Sequence, residues 1–288
     1  VALITGGGSG IGYAITQQLL QHGCSTAVIL GRRLSFLQSS AATLSKTTGK
    51  RVLYFACDVR DADSCIAAVQ YTLNECNDRL DILINGAAGN FLAEARHLKP
   101  KGFRTVMEID TIGTFNMCHS SYQALAKSKG CVINISATLQ YGATWYQAHA
   151  SAAKSAIDSL TRTLGLEWGV DRIRVNGIAP GPIADTPGTA KLAPGLDGDV
   201  VEEMVAEGIP IGRMGKGFDI GMAVVFLCCD RSGGFITGET LVVDGGQWLY
   251  KPPMVDRELV SELSRSVEKK SRDMRPSGNG GSNMKSKL

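Results

Sequence analysis

The stretch Thr5-Gly6-Gly7-Gly8-Ser9-Gly10-Ile11-Gly12 decides how this 288-residue chain folds. It follows the apolar run Val1-Ala2-Leu3-Ile4, which is typical of a buried strand, and it opens a helix predicted over residues 10–22. Its glycines let the backbone turn tightly and approach a pyrophosphate, which the positive end of the helix would bind. A turn without a nucleotide is the alternative, but the strand–turn–helix context favours a dinucleotide site. We therefore assign to a cofactor the backbone of Gly6, Gly7, Gly8, Ser9, Gly10, Ile11 and Gly12.

Strands and helices alternate along the rest of the chain. Further strands are predicted at residues 26–30, 51–56, 80–84, 131–135, 173–178 and 241–243. Helices are predicted at residues 34–46, 61–76, 100–127, 149–168 and 218–229. The helical stretch 100–127 is expected to break near Asp110-Thr111. This alternation predicts a single-domain, doubly wound (Rossmann) α/β fold, in which helices cover both faces of a seven-stranded parallel sheet.

The amino-acid composition limits which classes of protein this chain can belong to. Hydrophobic residues make up 44% of the chain, which suits one domain with a substantial core. The formal charge is +3, but residues 251–288 carry nine Lys/Arg and five Asp/Glu, so the first 250 residues are nearly neutral, which argues against nucleic acid as a partner. No apolar run approaches the roughly 18 residues of a membrane span, so we expect a soluble protein. Eight cysteines without a C-x-x-C pair and four scattered histidines predict free thiols and no metal site.

The end of the second predicted strand decides which dinucleotide fits. A protein that binds NAD usually has an acidic residue there to hold the ribose 2′-hydroxyl, whereas this chain has Gly31-Arg32-Arg33. Arg32 and Arg33 favour a 2′-phosphate, because planar guanidinium groups pair well with phosphate oxygens; a solvated arginine pair is the alternative. The sequence therefore predicts NADPH as the cofactor. Asp58 and Val59, after the third strand, are expected to meet the adenine.

Two segments fall outside the alternating pattern. Residues 184–210 contain several prolines and a short amphipathic helix near 200–206, and we predict a substrate lid there; an ordinary surface excursion is equally consistent. After the NADP-binding reductase domain, residues 1–250, the basic segment 251–288 is expected to be a flexible tail. It ends in Ser286-Lys287-Leu288, which matches a peroxisomal address read by an import receptor. Val1 is not an initiator, so we expect that the natural start is missing.

These motifs together resemble the short-chain dehydrogenase/reductase family over residues 1–248. The matching motifs are Thr5-Gly6-x-x-x-Gly10-x-Gly12, Asp58-Val59, Asn85-Gly86-Ala87-Ala88-Gly89, Asn134-Ile135-Ser136, Lys154, Pro180-Gly181-Pro182-Ile183 and Val243-Asp244-Gly245-Gly246. The resemblance implies that Asn85 lies in the floor beneath the adenosine side of the cofactor. It also implies that Pro180, Gly181 and Ile183 hold the nicotinamide end.

The chain departs from that family at its catalytic groups. The family implies a Tyr four residues before Lys154, a Ser thirteen residues before that Tyr, and an Asn in the preceding helix pair. Those positions hold Ala150, Ala137 and Asp110. Only Lys154 matches, and the resemblance implies that it binds the ribose hydroxyls of the cofactor.

This set of replacements, with Ala88-Gly89-Asn90-Phe91-Leu92 and the terminal tripeptide, is similar to that of the peroxisomal 2,4-dienoyl-CoA reductases, a group within the family. The resemblance implies NADPH-dependent reduction of a 2,4-dienoyl-CoA to a trans-3-enoyl-CoA during β-oxidation of unsaturated fatty acids, in the peroxisomal matrix. It also implies a homo-oligomer, a tetramer, with helices 100–127 and 151–168 at a subunit interface. In such a conjugate reduction hydride adds to C5 and the proton goes to the α-carbon. The thioester oxygen then needs hydrogen-bond donors rather than an acid, so a tyrosine is dispensable.

Three residues are the catalytic candidates. Lys154 would stabilise the charge that develops on the thioester. Asp110 would orient a water molecule, or deliver the α-carbon proton through it, with Asp244 as a carboxylate partner. A helix cap at Asp110 and a simple turn at Asp244 are the alternatives. For the substrate, Arg60 could bind the CoA phosphates and Phe91 the acyl chain or pantetheine; a solvated arginine and a core aromatic residue are the competing interpretations.

Two other functions are compatible with these residues. A trans-2-enoyl-CoA reductase, or another acyl-CoA reductase, would equally avoid protonating an oxygen. A catalytically silent NADP-binding protein would explain the loss of the Tyr and Ser. The retained Lys154 and the acid at position 110 favour an active enzyme.

Overall fold

A computed structural model of the chain describes residues 1–184, 186 and 198–273. The chain separates into two compact units, Val1–Tyr250 and Lys251–Leu288. The predicted targeting tripeptide and most of the predicted lid, residue 185 and residues 187–197, lie outside the described residues. Within the described part, no helix combines the length and the apolar character needed to cross a membrane.

The first unit is built on a seven-stranded sheet in which every neighbouring pair is parallel. Its strands are β1 (Ala2–Thr5), β2 (Thr26–Gly31), β3 (Arg51–Ala56), β4 (Ile82–Asn85), β5 (Cys131–Ile135), β6 (Arg174–Pro180) and β7 (Thr240–Val243). They lie in the order β3-β2-β1-β4-β5-β6-β7, which confirms the predicted doubly wound fold. The order reverses between β1 and β4, and ligands of such sheets bind at the carboxyl ends of the strands beside that reversal.

Helices cover both faces of this sheet. In chain order they are α1 (Gly10–Gln21), α2 (Leu34–Thr48), α3 (Ala62–Glu75), α4 (Pro100–Met107), α5 (Gly113–Ser128), α6 (Leu139–Gly142), α7 (Ala148–Glu167), α8 (Gly198–Ala206), α9 (Gly217–Cys228) and α10 (Asp230–Gly233). Adjacent residues of β1 point to opposite layers, as a pleated strand requires. Ile4 packs with α1, α2 and α9, and Leu3 with α3, α5 and α7.

The predicted break near Asp110-Thr111 is wrong. One turn of π-helix, Glu108–Ile112, joins α4 to α5 without an interruption. A π turn inserts one extra residue into a helix and is frequent at functional sites. Here it turns Asp110 into the protein, where the residue is 1% exposed.

Thr5 joins the two loops that meet at the reversal. Its buried Oγ1 accepts hydrogen bonds from the backbone N–H groups of Gly86 and Ala87, both at 3.0 Å. Gly6 follows with φ +69°, and a Cβ on it would lie 2.9 Å from the Gly86 oxygen. A Cβ on Gly12 would lie 2.4 Å from the Gly6 oxygen, so the turn can close only with glycine at both positions.

The segments outside the alternating pattern contain two helices. The amphipathic helix predicted at 200–206 is α8, within the predicted lid. In the second unit, α11 (Arg257–Asp273) is fully exposed and amphipathic. No helix was predicted in that tail, and its flexibility stays a prediction.

Thr5→Val should test how much the buried hydroxyl contributes to stability. The substitution keeps the shape but leaves two N–H groups without their acceptor, so we expect unfolding in urea to become easier by about 1–3 kcal/mol. Thr43→Val is the matched control, because that hydroxyl donates to the Ser39 oxygen on the exposed face of α2. Equal destabilisation by both variants would contradict this role of Thr5.

Candidate active site

The Gly-rich turn presents an uncapped helix terminus to the crevice. Ser9 is the N-cap residue of α1, but its side chain makes no capping hydrogen bond, and the first turn contains no acidic residue. The backbone N–H groups at this end therefore depend on an outside acceptor, such as a phosphate. The structure places the predicted residues Gly6 to Gly12 at the carboxyl end of β1, as dinucleotide binding requires.

The predicted adenosine end lies at the carboxyl ends of β2 and β3. The Arg33 guanidinium lies 4.5 Å from the centre of the exposed Phe36 ring, and that ring packs against the Gly8 side of the turn. Asp58 is held ionised: its pKa is lowered first by the hydrogen bond from Arg60 and also by the charge of Arg32. Both predicted arginines and the predicted aspartate therefore share one region of the surface.

Arg60 is engaged with Asp58 rather than extended into the solvent. Its Nε donates to Asp58 Oδ1 at 2.9 Å, and the two groups form an ion pair in which the Arg60 side chain is 38% exposed. This pair sets the orientation of the carboxylate predicted to meet adenine. Binding of CoA phosphates by Arg60 stays a prediction. It would require the guanidinium to bind a phosphate and the Asp58 carboxylate at the same time.

Asn85 anchors a buried chain of hydrogen bonds beneath the crevice. Its Nδ2 donates to Asn134 Oδ1 at 2.9 Å, and Asn134 Nδ2 donates to Thr161 Oγ1 at 2.9 Å. This chain ties the ends of β4 and β5 to α7. The role of Thr161 was not predicted, because only the folded helix brings its hydroxyl to Asn134.

Lys154 and Asp110 form a buried ion pair at the centre of the site. Lys154 Nζ lies 2.9 Å from Asp110 Oδ2 and donates to the Ile135 oxygen at 3.0 Å. Asp110 Oδ1 accepts from the Gly89 N–H at 2.7 Å. The side chains are 9% and 1% exposed. Two of the three N–H groups of the ammonium thus have partners among the described residues, which leaves one for a ligand.

Asp244, the third predicted catalytic residue, is used in a turn after β7. Its Oδ1 accepts from the Gly246 N–H and its Oδ2 from the Trp248 N–H, both at 2.8 Å. No contact between Asp244 and Asp110 is present among the described residues. Of the two interpretations of Asp244, the structure therefore favours a structural turn. A catalytic role for Asp244 stays a prediction.

The predicted nicotinamide segment lies beside that turn. Gly181 donates its N–H to the Val243 oxygen at 3.1 Å, and a Cβ on it would lie 2.6 Å from Asp244 Cβ. Ile183 pairs with Gly215 and is buried in the core. Pro180 ends β6, so this segment lies at the carboxyl edge of the sheet with the other site residues.

Around Ala150 and Ala137, the described side chains offer no replacement for the missing tyrosine. Ala150 is 2% exposed. Ser136, beside Ala137, donates its hydroxyl to Asp158 Oδ1 at 2.6 Å. Burial, together with the charge and hydrogen bonding of Asp158, raises the pKa of Tyr141 to about 12, which makes it a poorer acid than an ordinary tyrosine. The described residues contain no cluster of His, Cys, Asp or Glu that could hold a metal ion.

A parallel sheet with a glycine-rich turn at its reversal, and a buried Lys154–Asp110 pair in the helices beside it, is the architecture of nucleotide-dependent oxidoreductases. A family model described as enoyl-(acyl carrier protein) reductase matches residues 6–247. The chain belongs to the short-chain dehydrogenase/reductase family, which confirms the resemblance found in the sequence.

Similar proteins include two curated reductases and one solved structure. The peroxisomal 2,4-dienoyl-CoA reductase [(3E)-enoyl-CoA-producing] of Arabidopsis thaliana is 50% identical, with 94% of this chain and 92% of that protein covered. The protein of the same name from Danio rerio is 46% identical, with 93% and 88% covered. The crystal structure of a short-chain dehydrogenase from Bacillus anthracis superposes with a TM-score of 0.78 at 32% identity, with 88% of this chain and 98% of that chain covered.

Lys154→Met should reveal how much the buried Asp110 carboxylate destabilises the fold when it has no cation. The variant leaves Asp110 without its cation, so we expect a loss of about 3–5 kcal/mol in the free energy of unfolding. The double variant Lys154→Met/Asp110→Asn should recover much of that loss in urea denaturation. Lys127→Met is the control, because Lys127 pairs with Asp78 at the surface, where both side chains are more than half exposed, and should cost under about 1 kcal/mol. Similar losses from both single variants would contradict the argument.

Proposed function

We propose that this protein reduces 2,4-dienoyl-CoA to trans-3-enoyl-CoA with NADPH, in the β-oxidation of unsaturated fatty acids. The observation that carries the proposal is the buried Lys154–Asp110 pair beside Ala150, in a chain 50% identical to a reductase of that name. The pair keeps two charged groups close to Ala150, the position at which the family has its tyrosine. This combination suits a reaction that stabilises a negative oxygen without giving it a proton.

The residues present fit NADPH. The uncapped terminus of α1 and its glycine turn suit the pyrophosphate, and Arg32 and Arg33 suit the 2′-phosphate. When bound, the cofactor supplies a hydride. Asn85 supports the floor of the site through Asn134, and the remaining N–H of Lys154 would bind the ribose hydroxyls.

The protein's part in the chemistry is to hold charge and place a proton. Lys154 is fixed by Ile135 and Asp110, so the positive charge of its ammonium would stabilise the thioester oxygen without reorganising, while its third N–H binds the ribose. Asp110 is fixed by Gly89 and would orient the water that protonates the α-carbon. In the substrate site, Arg60 would bind CoA phosphates in addition to Asp58, and Phe91, which is 38% exposed, would contact the acyl chain or pantetheine.

We extend the proposal to location and assembly. The terminal Ser286-Lys287-Leu288 would be read by a peroxisomal import receptor, and the named relatives are peroxisomal reductases. A homo-oligomer, a tetramer, would form through α4, α5 and α7, as the family resemblance implies. Attaching residues 283–288 to a fluorescent protein, with and without Leu288, would test the address in cells.

An assay with the purified protein separates the candidate functions. With NADPH and 2,4-hexadienoyl-CoA we expect oxidation of the cofactor, and little with trans-2-hexenoyl-CoA. Lys154→Ala should abolish turnover, and Asp110→Ala should lower kcat by roughly 10²–10⁴-fold while NADPH affinity is largely kept. Lys127→Ala, at the surface, is the control. Preference for the 2-enoyl substrate would favour the alternative reductase, and no oxidation with either would leave a silent NADP-binding protein.

The choice of cofactor can be tested separately. Replacing Arg33 or Arg32 by Ala removes a charged partner of the 2′-phosphate, so we expect the Kd of NADPH to rise roughly 10- to 100-fold and that of NADH to change little. Arg51→Ala is the control, since Arg51 is paired with Glu75 at the start of β3, the opposite end from the site. Titration of protein fluorescence would measure both constants. Equal weakening of NADH would contradict contact with the 2′-phosphate.

A further inference from the structure

Asp158 is a buried carboxylate close to the catalytic pair, and the mechanism gives it no role. It lies on α7, one helical turn after Lys154, and is 5% exposed. Its Oδ1 accepts a hydrogen bond from the Ser136 hydroxyl and its Oδ2 accepts one from Gln140 Nε2, both at 2.6 Å. Both donors are neutral, and both belong to the segment that follows β5. A buried carboxylate is costly unless donors satisfy it, so Asp158 and this segment depend on each other.

The segment held by Asp158 is otherwise weakly attached. The short helix α6 has no buried residue, and Thr138, its N-cap residue, makes no capping hydrogen bond. Ala143 and Tyr146 follow α6 with φ of +63° and +62°, which is unfavourable for residues other than glycine. Such a backbone persists only where surrounding contacts impose it. The hydrogen bond from Gln140 to Asp158 is such a contact, because it ties α6 to the buried face of α7.

Tyr141 connects this segment to the loop after β7. Burial, followed by the charge and hydrogen bonding of Asp158, raises the pKa of Tyr141, so the phenol lies beside that carboxylate. The Tyr141 ring meets the Trp248 ring edge-on, with the ring centres 5.6 Å apart and the planes at 71°. Trp248 in turn donates its backbone N–H to Asp244. Contacts thus run from α7 through α6 to the loop that follows β7.

The Tyr141–Trp248 pair lies on the cofactor side of the sheet. Strand β6 lies between β5 and β7, and its carboxyl end continues into the predicted nicotinamide segment, Pro180 to Ile183. The two rings belong to the loops on either side of that segment, and the residues remain 36% and 42% exposed. Exposed aromatic surface beside a reaction site suits an apolar part of a substrate, because aromatic rings bury a large area on contact.

We propose that Asp158 is a positioning residue that holds Tyr141 against Trp248, and that this pair forms an aromatic wall for the acyl chain of the substrate. The inference rests on the proposed function. Each further methylene group that contacts the wall is removed from water, so the wall favours longer dienoyl chains over short ones. Neither Asp158 nor the two rings take part in hydride or proton transfer, so the wall acts on KM rather than on kcat.

Asp158→Leu tests this assignment, because it keeps a similar volume and removes both acceptors. KM and kcat would be measured with NADPH and either 2,4-decadienoyl-CoA or 2,4-hexadienoyl-CoA. We expect KM to rise about tenfold for the longer substrate and at most about twofold for the shorter one, with kcat kept within about threefold and the Kd of NADPH within about twofold. Tyr141→Ala and Trp248→Ala should give the same pattern, because each removes part of the wall.

Two further variants separate positioning from a general loss of structure. Asp158→Asn should restore most of the wild-type KM, because its amide can accept from Ser136 and donate to the Gln140 oxygen, which has no partner among the described residues. Asp171→Leu is the matched control. Asp171 also accepts from a tyrosine, Tyr122, at 2.7 Å, but it precedes β6 at the opposite edge of the sheet, so both KM values should stay unchanged.

Equal changes in KM for the two substrates, or a loss confined to kcat, in Asp158→Leu and the two ring variants would overturn the assignment. Should Asp158→Leu fail to fold, Gln140→Ala carries the same comparison, because it removes the link from α6 to the carboxylate. Failure of the wild-type protein to reduce either diene is a different outcome, because it would remove the proposed function itself.

Discussion

The buried ion pair between Lys154 and Asp110 is the constraint on which the rest of the site depends. Two charges away from water are costly unless each is fully hydrogen-bonded. Here Ile135 and Gly89 each supply one further partner, so the pair joins β5, the loop after β4, the π turn and α7. A change in any of these elements would leave a charge unsatisfied.

The parallel sheet explains why so few residues suffice to build this site. The carboxyl ends of all its strands meet along one edge, and Thr5, Asn85 and Asn134 connect three of those ends below the crevice. These interactions are uncharged and buried, so salt and pH affect them little. Among the described residues the third N–H of Lys154 has no partner, and we propose that a ligand supplies it.

The absence of a phenol follows from where the proton must go. A ketone reductase has to protonate an oxygen, and a tyrosine near that oxygen is a suitable acid. A conjugate reductase has to protonate a carbon instead, so the alanine that stands at the family's tyrosine position, Ala150, is compatible with that reaction.

Sequence reasoning predicted candidate residues for this site but not the contacts between them. The glycine turn and Lys154 have local signatures. The turn is recognised by the spacing of its glycines, and Lys154 by its place four residues after the family's tyrosine position. The π turn at Asp110 has no such signature, and neither does the turn that occupies both oxygens of Asp244. The helix in the tail, α11, was overlooked because its charged composition resembled that of a flexible segment.

The amino-acid sequence by itself determined the class of fold, the cofactor turn and the loss of the tyrosine, because these depend on residue type and on short-range spacing. Tertiary structure alone decided that Lys154 pairs with Asp110, that Arg60 pairs with Asp58, and that His149 is buried against the Phe91 ring. Each of these depends on atoms from distant segments or on an exact side-chain direction. A hydrogen bond forms only within a few tenths of an ångström, and packing of the whole sheet sets distances on that scale.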